Sequence, residues 1–257
     1  MKVVRTVDEM TQVALSHKLG LVPTMGAFHE GHLSLLRAAR AECETVVVSL
    51  FVNPAQFGAG EDLERYPRDE ARDLRLAEEA GVDVLFAPTA EQMYPEGFGT
   101  WVDVEVTGGE AAARPGHFRG VATVCLKLFN LVRPDVAFFG QKDAQQVAAL
   151  RQLVRDLNLG LQLRVLPTVR DDDGLALSSR NAYLSDDERE RALALPRALE
   201  AARSAPDPVG ATRTALNGLE PEYVELLRVG DATLLTASAR VGTTRLIDNV
   251  VVEGELT

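Results

Sequence analysis

Cysteine, lysine and long apolar runs are all scarce in this 257-residue chain. Its two cysteines, Cys43 and Cys125, stand in amphipathic segments without CxxC or Cys/His ligand spacing. That pattern argues against a disulfide framework and a thiolate metal site, and it reads as two buried thiols. No apolar run approaches the ~20 residues that a membrane-spanning helix needs. The opening stretch, MKVVRTVDEM, turns acidic before a signal-peptide core could form, so a cytoplasmic location is expected. A formal charge of −11 argues against nucleic acid and anionic membranes as partners. It leaves room for a small anionic ligand, because donors close to a ligand outweigh a distant net field. Lysine is the most informative scarcity. Lys2, Lys18, Lys127 and Lys142 are the only lysines among 27 basic residues. Arginine is the default surface cation here, so a lysine inside a motif, as at position 142, is a specific choice.

What is present is an alternating pattern. Apolar runs at 19–24, 45–52, 82–88, 135–140 and 161–167 read as buried strands. Between them, 31–43, 68–81, 118–132 and 143–159 have helical spacing. Gly81 ends the second of these helices, and Pro134 stops the third. The first helix is expected to bury Leu33, Leu36 and Ala39–Ala41, and a short extra strand is expected at 100–106. Five strands alternating with four helices over 19–167 predict an α/β fold, a parallel sheet with helices on both faces. Past residue 168 the pattern changes to an acidic loop, a helix over 185–204, a second short helix, and strands near 222–229 and 244–254. This predicts two domains, 1–168 and a smaller α+β domain at 169–257, with a ligand crevice at the carboxyl ends of the parallel strands. No internal repeat and no low-complexity segment is evident.

The loop PTMGAFHEGH, residues 23–32, precedes the first of these helices. His29 and His32 fall on one face of a first helical turn. Gly26 and Gly31 allow backbone amides close to a ligand, and the helix start adds unpaired N–H groups and a positive dipole end. Together they make an anion site suited to a triphosphate. A plain strand-to-helix turn with surface histidines is the alternative. Zinc does not fit, because HExxH chemistry needs a four-residue step and this pair has three.

PTMGAFHEGH contains the HxGH signature of the nucleotidyltransferase superfamily, and with its PTMG flank it resembles the pantoate–β-alanine ligases. Four further blocks are similar to that family in the same order. FVNPAQF (51–57) carries Gln56, with Asn53 and Tyr66 as further pocket candidates; by spacing alone it is also a simple Pro turn. RPGHFRGV (114–121) places Arg114 before a helix, where plain helix-start chemistry is an equal reading. GQKDAQQ (140–146) differs from the common family form GEKDxQQ in having Gln141. Its Lys142 works against a helix dipole, which makes sense if it faces phosphate; without the motif a plain surface lysine is an equal reading. LALSSRN (175–181) offers hydroxyls and a guanidinium, natural phosphate donors, against the alternative of a solvated acidic loop. The aspartates at 171–173 are read as a solvated run.

The resemblance implies a Rossmann-like sheet and a two-step reaction. The carboxylate of (R)-pantoate attacks the α-phosphorus of ATP, giving pantoyl adenylate and pyrophosphate. The amine of β-alanine then displaces AMP and gives pantothenate. It implies Mg²⁺ on the phosphates, with unknown protein ligands, and a homodimer. By resemblance ATP contacts fall on Met25, Gly26, Ala27, Phe28, His29, Glu30, Gly31 and His32, then Gly140, Gln141, Lys142 and Asp143, then Val169, Leu177, Ser178, Ser179 and Arg180. His32, His29, Lys142 and Arg180 are the expected catalytic groups, with His32 as the acid. Gln56 and Gln146 are expected on pantoate, and Arg114 near the substrate pocket. A nucleotidyltransferase with a stable nucleotidyl product would share HxGH but need no second, amine substrate, and a non-catalytic nucleotide sensor would bind ATP and form no product.

Overall fold

The computed structural model describes residues 1–13, 18–216 and 218–256. Six parallel strands form one sheet: β1 (Lys2–Val4), β2 (Leu19–Thr24), β3 (Thr45–Leu50), β4 (Val84–Phe86), β5 (Val136–Gly140) and β6 (Gln162–Leu166), ordered β1-β4-β3-β2-β5-β6. Chain direction across the sheet reverses between β2 and β5, where crevices form outside the strand ends. The period-two alternation of buried strands splits their side chains between two cores. Val22, Val46, Val48, Leu85 and Phe138 face α2 (Glu30–Glu42) and α3 (Glu70–Glu79), while Leu21, Val47, Phe86, Ala137 and Phe139 face the opposite layer. That layer includes α1 (Val7–Thr11), α4 (Ala90–Met93), α5 (Gly109–Ala113), α6 (His117–Val132) and α7 (Ala144–Asp156). Gly81, with φ +78°, follows α3 as expected, and Arg133 takes the left-handed cap of α6 before Pro134.

A second sheet holds antiparallel β7 (Glu220–Val229), β8 (Ala232–Val241) and β9 (Thr244–Glu253), joined to the first by α8 (Asp186–Ala192), α9 (Ala194–Ala202) and α10 (Pro208–Ala215). Leu235, Ala237, Ala239 and Val241 pack beneath these helices, whereas Val229, Ala232 and Leu234 join the core over α6 and α7. The second sheet therefore has apolar partners on both faces.

Several expectations are corrected. Residues 100–106 form no strand: Val102, Val104 and Val106 are half-buried, and the Val102 N–H donates to Thr123 Oγ1 (3.0 Å) on α6 instead of to a neighbouring strand. The single helix at 185–204 is two helices broken at Leu193, because Pro196 has no N–H for residue 192 and its ring crowds that carbonyl. On α2 the buried residues are Leu35, Leu36 and Ala39; Leu33 is half-buried and Ala41 is exposed. β1 and β8 were not expected. β8 is rich in Ala, Thr and Ser and buried along nearly its whole length, so it shows no polar-apolar alternation.

Candidate active site

A cavity of about 360 Å³ lies where β2, β3 and β5 end, walled on its far side by β7–β9. Met25, His29, Gly31, His32, Asn53, Gln56, Tyr66, Arg114, Gly140, Lys142, Asp143, Gln146, Val169, Leu177, Ser178, Ser179 and Arg180 line it. Gly26, Ala27, Phe28, Glu30 and Gln141 do not.

The histidine turn is built by reciprocal capping. The Gly31 N–H donates to His29 Nδ1 (3.2 Å), and the His29 N–H donates to His32 Nδ1 (3.3 Å), with ring centroids 4.1 Å apart. Each Nδ1 therefore accepts, so a neutral ring carries its proton on Nε2 and presents an N–H donor there. Burial, aided by the Lys142 ammonium, pushes His29 down to about 4. Burial, then His29, then Lys142 hold His32 well below the usual imidazole range. Both rings are neutral donors at pH 7. Gly31 is needed for the ring above it, since a Cβ there would lie 2.9 Å from His29 Cε1.

The free loop amides expected here are not free. Asp73, on α3 and 1 % exposed, accepts the Ala27 N–H (2.8 Å) and the Phe28 N–H (2.7 Å). These bonds hold Ala27 in a left-handed backbone (φ +52°) and Gly26 at φ +87°. Gly26 faces Leu50 and Asp73 in a separate cavity, Phe28 is in the core, and Glu30 pairs with Arg37 at the surface. Burial pushes the Asp73 carboxyl up, against the pull of the two amides.

Gln56 is held by a scaffold around it. Asn53, 1 % exposed, caps the Pro54–Gln56 turn. It accepts from Tyr94 Oη (2.8 Å) and donates to Gly120 O and Gln56 Oε1, both at 3.1 Å, so its hydrogen bonds go to the scaffold and to the Gln56 side chain itself. The Gln56 carbonyl accepts from His117 Nδ1 (2.8 Å) and Arg114 Nη2 (3.2 Å). Burial, then Arg114, pushes His117 down to about 4. Arg114 also grips Glu61 with two prongs, at 2.8 and 2.6 Å. Desolvation pushes Glu61 up, but the Arg114 bonds outweigh it and bring the carboxyl to about 2.

The other two stretches expected to face phosphate converge on the same space. Lys142 sits in a 3₁₀ turn (Gln141–Asp143) that leads into α7, 3.9 Å from Asp143. Gln141 turns away to Asn249 (3.0 Å), which explains its absence from the cavity. Ser178 caps a second 3₁₀ turn (Ser179–Tyr183), and Ser179 Oγ donates to Ala27 O (3.3 Å). Arg180 lies over the Tyr66 ring (5.5 Å) and binds Asp62 with Nε and Nη2 (2.7 and 2.8 Å). Asp171 and Asp173 both pair with Arg189, so the acidic run is not simply solvated.

Sequence reasoning found no motif past residue 181, yet Tyr223, Arg240, Arg245, Asp248 and Asn249 line the cavity. Arg245 joins Glu110 (3.0 and 2.6 Å), and Tyr223 Oη donates to the same carboxylate (2.9 Å). The usable signal was Asp-Asn inside an apolar strand, polar side chains where burial was expected. Among the described residues no cluster of three His, Cys, Asp or Glu suits a metal ion, and no helix is long and apolar enough to cross a membrane.

Residues 2–251 match the family model for pantoate-beta-alanine ligase. This chain belongs to the pantoate–β-alanine ligase family. A pantothenate synthetase of Heliobacterium modesticaldum is 50 % identical over 98 % of this chain and 100 % of that protein. The crystal structure of pantothenate synthetase from Thermus thermophilus superposes with a TM-score of 0.95 at 45 % identity, covering 99 % of this chain and 100 % of that one. The pantoate-beta-alanine ligase of Francisella tularensis, complexed with beta-gamma ATP and beta-alanine, gives 0.87 at 33 % identity, with 99 % of each chain covered. The ligase fold accounts for the parallel sheet with its small antiparallel partner.

Proposed function

We propose that this cavity joins (R)-pantoate to β-alanine at the expense of ATP, through pantoyl adenylate. The observation that carries the reading is the meeting of His29, His32, Lys142 and Ser178–Arg180, from three distant stretches, around one space. In the first step a pantoate carboxylate oxygen bonds to the α-phosphorus and pyrophosphate leaves. An anion attacks a polyanion, so positioning and charge neutralisation dominate the barrier. Lys142, the serine hydroxyls and Arg180 supply fixed donors. The two imidazoles enter neutral, and a bound polyphosphate raises their proton affinity, so that Nδ1 can take a proton by giving up its bond from a backbone N–H. His32 then holds a proton that it can give to the departing phosphate. Gln56 and Gln146 suit pantoate because an amide both donates to a carboxylate and accepts from a hydroxyl. In the second step the β-alanine nitrogen bonds to the acyl carbon, AMP leaves and a proton is lost. A free aliphatic amine has a pKa of about 10, so the site must desolvate or deprotonate it.

The test is pantoate-dependent exchange of labelled pyrophosphate into ATP without β-alanine. His32→Ala and Lys142→Ala are each expected to slow it by about 10²–10³, the usual cost of one transition-state donor. A loss below tenfold removes that residue from the catalytic set.

Mg²⁺ is proposed as an ion carried in on the phosphates, where it would neutralise charge. Among the described residues no three-ligand cluster is present, and Asp143, a carboxylate of the cavity lining beside Lys142, is the protein group we would place nearest that ion. On the family resemblance we place the enzyme in the cytoplasm as a homodimer, which light scattering would read as twice 27.9 kDa. The change of pattern after β6 supports a domain division at 168/169.

A further inference from the structure

We infer that Asn249, on the last strand of the second sheet, is a positioning residue for Lys142. The inference rests on the reading of Lys142 as a phosphate donor. Asn249 is 2 % exposed and faces the 3₁₀ turn across 107 residues of sequence. Its Nδ2 donates to the carbonyls of Gln141 (2.9 Å) and Lys142 (3.0 Å), and its Oδ1 accepts from Gln141 Nε2 (3.0 Å). The orientation of this amide is dictated by its neighbours. Two carbonyls can only accept, so the nitrogen must face them, and the oxygen is left for the one donor nearby.

The backbone needs this support. Gly140 and Asp143, which precede the turn and α7, make no side-chain capping bond. Among the described residues the Lys142 ammonium makes no ion pair shorter than the 3.9 Å contact with Asp143. The place of that ammonium is therefore set by the peptide planes that carry its stem, and Asn249 holds both planes. Asn249 is itself held. Its N–H donates to Asp248 Oδ1 (2.8 Å), and Asp248, 3 % exposed, is gripped by Arg170 at 2.7 and 3.0 Å. Arg170 begins the loop that leads to Ser178–Arg180. Two adjacent residues of β9 thus tie together both of the later phosphate-facing stretches, and an Asn with two donors and one acceptor is the side chain that fits.

ATP binding to the full-length protein, measured by titration calorimetry, tests this with a double-mutant cycle on Asn249→Ala and Lys142→Ala. Asn249→Ala is expected to weaken ATP binding about tenfold in the native background and less than about twofold beside Lys142→Ala, since a group acting through Lys142 has nothing left to position. Asn249→Ser, which keeps one donor, should fall between native and Ala. It is read in the same cycle if circular dichroism shows Asn249→Ala unfolded. Native-like binding by the Asn249 variants, or equal weakening in both backgrounds, overturns the assignment. If Lys142→Ala itself binds ATP like the native protein, the phosphate role of Lys142 fails first and takes this inference with it.

Discussion

Gly120→Ala should damage pantoate use far more than it damages the fold. Gly120 lies on α6 against the Pro54–Gln56 turn, and a Cβ there would stand 2.2 Å from Ala55 O, 2.4 Å from Ala55 C and 2.6 Å from Gln56 N. All three are backbone atoms, so no rotamer change relieves the clash. The turn must retreat by about 1 Å to reach an ordinary contact distance. It carries Gln56 with it, and it disturbs the bonds of the Gln56 carbonyl to Arg114 and His117 and of Asn53 to the Gly120 carbonyl. Overpacking of this kind costs about 1–3 kcal/mol. Replacing this first-turn glycine of α6 by alanine returns up to about 1 kcal/mol, so the net loss of stability is about 2 kcal/mol. A 1 Å misplacement of a substrate-positioning group can cost about 10² in rate. We expect kcat/KM for pantoate to fall about 100-fold with KM for ATP within about twofold, and the thermal midpoint to drop by no more than about 8 °C. A kcat/KM for pantoate within threefold of native would refute the placement of Gln56 on that substrate.

Two further outcomes follow from the charge arrangement. Asp62→Asn removes the carboxylate that occupies two nitrogens of Arg180; ATP binding by calorimetry should tighten about three- to tenfold, because phosphate no longer has to displace a charged partner. Weaker binding would mean instead that Asp62 holds Arg180 in place for the nucleotide. His29 is held down to about 4 by burial, whereas an unfolded histidine titrates near 6.5. The unfolded chain therefore takes up a proton first, and stability present above pH 6.5 is lost as pH falls toward 4. His29→Asn should flatten the dependence of the thermal midpoint on pH in that window, without abolishing it while His117 remains. A curve parallel to native would show that the His29 ring is not buried in its neutral form.

The fold was legible wherever order is local. Five strands alternating with four helices need only apolar period and stop signals, and the histidine pair needs only helical spacing. What stayed hidden depends on residues far apart in the chain. The spacing of PTMGAFHEGH suggests free amides, but Asp73, 45 and 46 residues on, has already taken two of them. Arg180 reads as a phosphate donor, yet its partner Asp62 is 118 residues away. Valines alternating at 102–106 mimic a strand until one asks which strand lies beside them. Asn249 was invisible for the opposite reason: a buried amide becomes informative only when the carbonyls it serves are known.

A chain of charge −11 that receives a triphosphate needs a local explanation, and the side-chain partners supply one. Beyond a Debye length of about 8 Å the acidic surface is screened, so the site need only be favourable at short range. Of the guanidinium groups that line the cavity, Arg114 is matched by Glu61, Arg180 by Asp62, and Arg245 by Glu110 and by Glu222, which lies outside the lining. Unpaired guanidinium groups crowded together would repel one another in the empty site, and neutral imidazoles avoid adding to that repulsion. On the proposed reading an incoming nucleotide meets Lys142 first as a weakly engaged cation. It then gains Arg180 by exchange with Asp62, and gains imidazolium where the raised proton affinity is enough for Nδ1 of His29 or His32 to take a proton and give up its bond from a backbone N–H. The positive charge that holds the polyphosphate is thus largely called up by the polyphosphate itself. ATP binding should accordingly take up protons near neutral pH in proportion to how far the two histidines charge.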